Sequence, residues 1–134
     1  MAVDQIVYAY VTEEETYPET TVIIHEGVKN DWVYVILEGN VKIRKKTSRG
    51  QVTLATLKEG DILGEMAFLA LGEGVRSISA VASDGPVRLG LMDTHRLVHD
   101  YEAVSPRIKY LIRALIKRLQ AANDKLCEIV VQAK

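Results

Sequence analysis

The hydrophobic pattern changes period once, near Asp93, and that change limits the fold more than any other feature of the chain. From about Thr16 to Met92, apolar and polar residues alternate as in strands, with β-branched residues and punctuating glycines. Val33, Val35 and Leu37 can share one face, and so can Val41 and Ile43. Val52 and Leu54 alternate with Thr53, and Val87, Leu89 and Leu91 with Arg88 and Gly90. Turn signals fall at Glu38-Gly39-Asn40, Ser48-Arg49-Gly50, Glu59-Gly60-Asp61 and Asp84-Gly85-Pro86. Short strands at this spacing predict an antiparallel sandwich, roll or barrel, and periodicity alone leaves the three open.

Beyond Met92 the pattern is helical. Asp93 or Thr94 can cap a short helix through about Tyr101. Ser105-Pro106 reads as N-cap and first residue of a long one, roughly 40 Å in length. Its apolar residues Ile108, Ile112, Leu115, Leu119, Ala122, Leu126 and Ile129 are separated by steps of 4, 3, 4, 3, 4 and 3. That is a heptad seam held over three repeats, and it predicts a homodimer through Ile112, Leu115, Leu119 and Leu126. The competing expectation is that these residues cover the chain's own β-structure. Leu111, Ile116 and Val130 lie off the seam and leave one face for packing on the strands.

The residues with the most specific chemistry lie inside the strand-like half. Gly60-Asp61-Ile62-Leu63-Gly64-Glu65-Met66-Ala67 is followed by Val75-Arg76-Ser77. Gly64 lets backbone approach a ligand closely because it has no Cβ. The run from Glu65 to about Leu71 suits a short helix, whose first turn offers free N–H groups to an anion. Arg76 presents a planar fork of donors that matches two phosphate oxygens, and Ser77 adds a hydroxyl. Ionised Glu65 only accepts hydrogen bonds, so it suits a sugar hydroxyl rather than the anion. A small ligand carrying both a phosphate and a sugar is the expectation.

Gly64-Glu65-x-Ala67 with downstream Arg76-Ser77 resembles the phosphate-binding cassette of cyclic nucleotide-binding domains. The segments Val22 to Gly27 and Asp31 to Ile43 are similar to the family's early strands, and Lys117-Arg118-Leu119-Gln120 to part of its long C-terminal helix. The resemblance implies a fold that is mainly β with α: an antiparallel β-roll, jelly-roll-like, with a short cassette helix and a long C-terminal helix. It implies one domain over residues 1–134, with the roll at about 16–93 and the helices at about 94–132. It implies that Glu65 accepts the ribose 2′-hydroxyl and that Arg76 and Ser77 hold the cyclic phosphate. Backbone around Gly64, Met66 and Ala67 would line the same site. Matching along the long helix brings Ala122 and Asn123 to the level of the purine, where Asn123 offers a donor and an acceptor. The implied ligand is cAMP in preference to cGMP, with no cofactor, and the implied output is movement of the long helix.

The chain departs from the family pattern at a few positions. Thr20 stands where glycine is common in an early turn, and Val75 and Ile78 replace a turn former and an alanine. The gap from Glu65 to Arg76 is about a residue longer than in close relatives.

Other function classes find less support in the residues. With 134 residues, nearly half of them hydrophobic, the chain suits a single soluble domain. A formal charge of −1 provides no basic field for nucleic acid, and no helix-turn-helix pattern for DNA follows the long helix. No apolar run approaches a membrane span, and the one cysteine, Cys127, fits a reducing cytoplasm as a packed thiol. His95 and His99 share a helix face but lack a third ligand, so no metal is expected. No nucleophile–base set or carboxylate pair suggests an enzyme. The alternative to a nucleotide sensor is a degenerate roll that serves as an interaction or dimerisation module.

Overall fold

Two strands of 14 residues, β3 (Tyr34–Thr47) and β6 (Ser79–Met92), form the spine of the molecule. The structure is a computed structural model that describes residues 3–27, 32–69 and 78–133; for Met66 and Ala67 it describes the backbone only. Around the spine lie α1 (Gln5–Tyr8), β1 (Val11–Tyr17), β2 (Val22–Ile24), β4 (Gly50–Leu57), β5 (Ile62–Leu63) and α2 (Glu65–Leu69). The chain ends with α3 (Thr94–Glu102) and α4 (Pro106–Ala133). All strand pairings are antiparallel. The order is β1-β6-β3-β4, with β2 also paired to β6 and β5 to β3. This is the antiparallel β-roll expected from the family resemblance, with its first strand starting at Val11, ahead of the clearly alternating segment.

Three of the four turn signals are not chain reversals. Ser48-Arg49-Gly50 does reverse the chain between β3 and β4, whereas Glu59-Gly60-Asp61 leads from β4 into β5, which continues in the same direction along β3. Gly39 and Gly85, in contrast, lie within β3 and β6, with φ of 100° and 114°. Here the two strands bend together. Glu38 pairs with Arg88 and Asn40 with Ser83, so β6 carries three more residues than β3 through the bend. Such bulges kink a strand and shift which side chains face the core.

The burial pattern records that shift. Before the bend, Tyr34 and Ile36 of β3 enter the roll interior; after it, Val41 and Ile43 do. On β6 the inward set changes from Ala80 and Ala82 to Val87 and Leu89. A Cβ on Gly39 would come within 2.8 Å of the Pro86 carbonyl oxygen, so only glycine fits this corner without a shift.

Simple alternation also fails where β3 is covered on both sides. Residues 33–37 are all buried. Tyr34 and Ile36 face the roll interior, whereas Val33, Val35 and Leu37 join an outer cluster with Val3 and Met92. Val7 of α1, Phe68 of α2 and Leu97 of α3 pack against that second layer. Arg96 of α3 ties the layers together, lying 4.4 Å over the Tyr10 ring and donating to the Ala9 carbonyl at 2.8 Å.

The helix boundaries follow the sequence signals. Asp93 caps α3 by accepting from the Arg96 amide, and Ser105 caps α4 by accepting from the Ile108 amide at 3.3 Å. Thr20 keeps the left-handed backbone of a glycine turn, with φ of 72°, at the cost of strain that glycine would avoid. Its amide donates to the Ala82 carbonyl at 2.9 Å, which locks the turn to β6. Among the described residues, no helix is long and apolar enough to cross a membrane.

Candidate functional site

The segment that leads into α2 is anchored from the core outward. β5 pairs Ile62 with Val35 and Leu63 with Tyr34, and Leu63 is buried in the roll interior. Gly64 follows with φ of 84°, a conformation that costs glycine little, and turns the chain from β5 into α2. Glu65 is thereby fixed as the first residue of α2, half-buried rather than projecting freely into solvent. The far end of α2 is held too: Phe68 meets Tyr101 of α3 edge to face, with centroids 6.4 Å apart. The Lys109 ammonium of α4 sits over the opposite partner of that pair, 5.4 Å from the Tyr101 ring centre. A shift of α2 would therefore be felt by both C-terminal helices.

Of the residues singled out from sequence, Gly64 and Glu65 are placed as above, and Met66 and Ala67 continue α2 in backbone. Val75, Arg76 and Ser77 lie outside the described residues. The description resumes at Ile78, which packs against the roll interior and lines a cavity of about 250 Å³. Among the described residues, Lys45, Gln120, Asn123 and Asp124 line it as well. Asn123, placed by sequence at the level of a purine, thus faces the same space as the residue that directly follows Ser77 in the chain.

Lys45, Gln120 and Asp124 were not predicted. The signal for Lys45 was present: it continues the inward phase of Val41 and Ile43, so a lysine stands where an apolar residue is expected. Its ammonium is 3.9 Å from Glu26 Oε2 and 3.9 Å from Asp124 Oδ1. Gln120 and Asp124 are separated by one helical turn and share a face with Asn123. Among the described residues the lining therefore offers a cation, a carboxylate and two amides, a set able to donate to and accept from a polar heterocycle.

A larger groove, about 710 Å³, lies on the outer face of the sheet. Lys42, Arg44 and Lys46, the residues out of phase with Lys45, line it together with Glu19, Glu26 and Asp84. Among the described residues, none of those predicted from sequence as site residues borders it, and its mixed charge selects no ligand class.

α4 packs on β4 and β3 of the roll, and Cys127 is its buried residue. The heptad seam turns away: Ile108, Leu115, Leu119, Leu126 and Ile129 are exposed, while Ile112 is half-buried. The helix therefore has one face on the roll and an apolar face directed to solvent.

Comparison with known proteins agrees with this architecture. The chain is 28% identical over 116 residues to the CRP-like cAMP-activated global transcriptional regulator of Mycobacterium tuberculosis, covering 85% of this chain and 50% of that protein. It is 33% identical over 113 residues to the cAMP-activated global transcriptional regulator CRP of Escherichia coli O6:H1, covering 82% of this chain and 52% of the relative. The chain thus spans about half the length of these curated relatives. Among solved structures it is similar to the EAL enzyme Bd1971 in its cAMP-bound form, with a TM-score of 0.77 at 26% identity. That match covers 90% of this chain and 32% of the enzyme, and the cGMP-bound form of the same enzyme gives a TM-score of 0.73. The family model for the cyclic nucleotide-binding domain matches residues 14–98, a span that takes in β2 to β6 and α2 entire. By that match, and by the roll that carries it, this chain belongs to the cyclic nucleotide-binding domain family.

Proposed function

We propose that the chain is a non-enzymatic cAMP sensor, one domain over its 134 residues, that reports nucleotide occupancy through α4. The observation that carries this reading is the cavity between the inward face of β3, Ile78 and α4, which sets Asn123 beside the exit of the Arg76-Ser77 segment. In this reading Arg76 and Ser77 hold the cyclic phosphate, with backbone from Gly64 to Ala67 lining the site. Glu65 accepts the ribose 2′-hydroxyl, and Asn123 meets the purine edge.

cAMP is favoured over cGMP because both curated regulators compared above are named for activation by cAMP, and they match over more than four-fifths of the chain. A ligand that touches both the roll and α4 binds one arrangement of the helix better than another and shifts the population toward it. The exposed seam supports pairing of α4 with a second copy through Ile112, Leu115, Leu119 and Leu126, in a cytoplasmic homodimer. That same seam is what favours the second reading, a roll that only dimerises or docks and binds no nucleotide.

One titration separates the two. A fluorescent cAMP analogue is expected to bind saturably and to be displaced by unlabelled cAMP more readily than by cGMP. Arg76→Ala is expected to cost ~2–5 kcal/mol, the range for removing one partner of a buried charge pair. That corresponds to about thirty-fold to several thousand-fold weaker binding. Absence of saturable binding for either cyclic purine would leave the interaction module as the function.

A further inference from the structure

We infer that Lys45 is a positioning residue that clasps α4 to the roll at the mouth of the nucleotide cavity. The inference rests on the site assignment just proposed.

A lysine in the inward phase of a strand is costly unless its charge is matched. Lys45 follows Val41 and Ile43 in that phase, and its side chain is only 22% exposed. Among the described residues, the carboxylates of Glu26 and Asp124 lie beside it. Glu26, just past β2, belongs to the roll and is itself held: its Oε1 accepts from the Lys46 amide at 2.9 Å, and its own amide donates to Ser79 Oγ at 3.3 Å. Asp124 belongs to α4, and its side chain is 65% exposed apart from the contact with Lys45. The roll arm of the clasp is therefore fixed and the helix arm is the one that can release.

The position of that arm gives the contact its role. Gln120, Asn123 and Asp124 recur at i, i+3 and i+4, so they ride on one face of α4. Holding Asp124 to Lys45 sets the rotation of the helix that turns the Gln120 and Asn123 amides into the cavity. Release of Asp124 would let that face swing away, and the amides would be lost as ligand contacts. Both ion-pair distances are 3.9 Å and Asp124 is largely in water, so the contact is a weak bias rather than a lock.

The test uses the full chain and two readouts. cAMP affinity is measured for wild type, Lys45→Met, Asp124→Asn, the double variant and Lys45→Arg. Each of the first two single substitutions is expected to weaken binding roughly two- to fivefold. The double variant is expected to bind no more weakly than Lys45→Met, and Lys45→Arg to recover most of the loss. Independently, amide exchange along α4 is followed without nucleotide. Amides of residues 117–127 are expected to exchange faster in Lys45→Met and in Asp124→Asn. Asp124 is exposed, so its substitution leaves the fold intact even where Lys45→Met does not. Unchanged exchange in both variants overturns the clasp. Faster exchange with unchanged cAMP affinity overturns the positioning role. A wild type that binds neither cyclic purine overturns the site assignment and the positioning role with it, while exchange still decides whether Lys45 joins helix to roll.

Discussion

The aliphatic residues of the roll and those of α4 meet opposite environments. Ile36 and Leu89 are closed in by neighbouring strands, at 0% and 1% exposure. Leu115 and Leu119 on α4 stand at 62% and 47%. Residues of the same chemistry are thus spent differently. In the roll, β3 is sandwiched between an interior cluster and an outer layer of helices, so this part of the chain satisfies its own hydrophobic demand. α4 meets the roll along a stripe in which Cys127 is buried and Ile112, Ile116 and Val130 are half-buried, and leaves Leu111, Leu115 and Leu119 exposed. The lesson is that stability resides in the roll, whereas the apolar surface of the long helix points outside this chain. Exposed aliphatic rows of this kind mark contact surfaces more often than stability determinants.

The strongest way to break that contrast is to remove matched side chains from the two regions. Leu89→Ala should cost about 2–5 kcal/mol in denaturant unfolding, because the strands on either side cannot collapse into the void. A cost near zero would mean that the roll core is not what holds the domain. Next comes the corner where the roll turns. Gly39→Ala asks for a side chain at φ of 100° and within 2.8 Å of the Pro86 carbonyl oxygen. A loss of about 1–3 kcal/mol is expected from backbone strain and the displaced strand. A thermal midpoint equal to wild type would show that the bend tolerates a side chain and is not the fixed hinge of the roll.

The same corner explains what the sequence could and could not disclose. Glycine at Gly39 and Gly85 announces positive φ, and both residues adopt it. Positive φ does not say whether the chain reverses or only bends. That depends on a strand far away in sequence, and here two bends lie face to face across a pair. Where the partner was local, as at the β3–β4 connection, the turn signal did mark a reversal. Burial of residues 33–37 on both faces was hidden for a related reason, since alternation cannot tell whether helices will cover the outer side. The helix caps at Asp93 and Ser105 were legible because capping is decided within three residues. In the proposed site, Asn123 was singled out through resemblance along the helix, not through any chemistry peculiar to asparagine. Lys45 was legible in principle, as a cation in an apolar phase, but only once the bend at Gly39 had fixed which phase faced inward.

The smallest expected change in fold stability is also the one that most sharpens the contrast. Leu119→Glu replaces an exposed residue, so the isolated domain should unfold within about 0.5 kcal/mol of wild type. If α4 pairs with a second copy, the same substitution buries a carboxylate opposite its own symmetry mate, and neither charge has a partner there. Sedimentation of wild type at tens of micromolar should then give a dimer mass, and Leu119→Glu a monomer mass. The two measurements must be made at matched concentration, because association itself adds apparent stability by mass action. At high concentration wild type would therefore unfold later than the variant, and the difference should vanish on dilution below the dissociation constant. A difference that persists on dilution would place Leu119 among residues that stabilise the single chain. A wild type that sediments as a monomer throughout would remove self-pairing as the reason for the seam and leave its apolar face to a different partner.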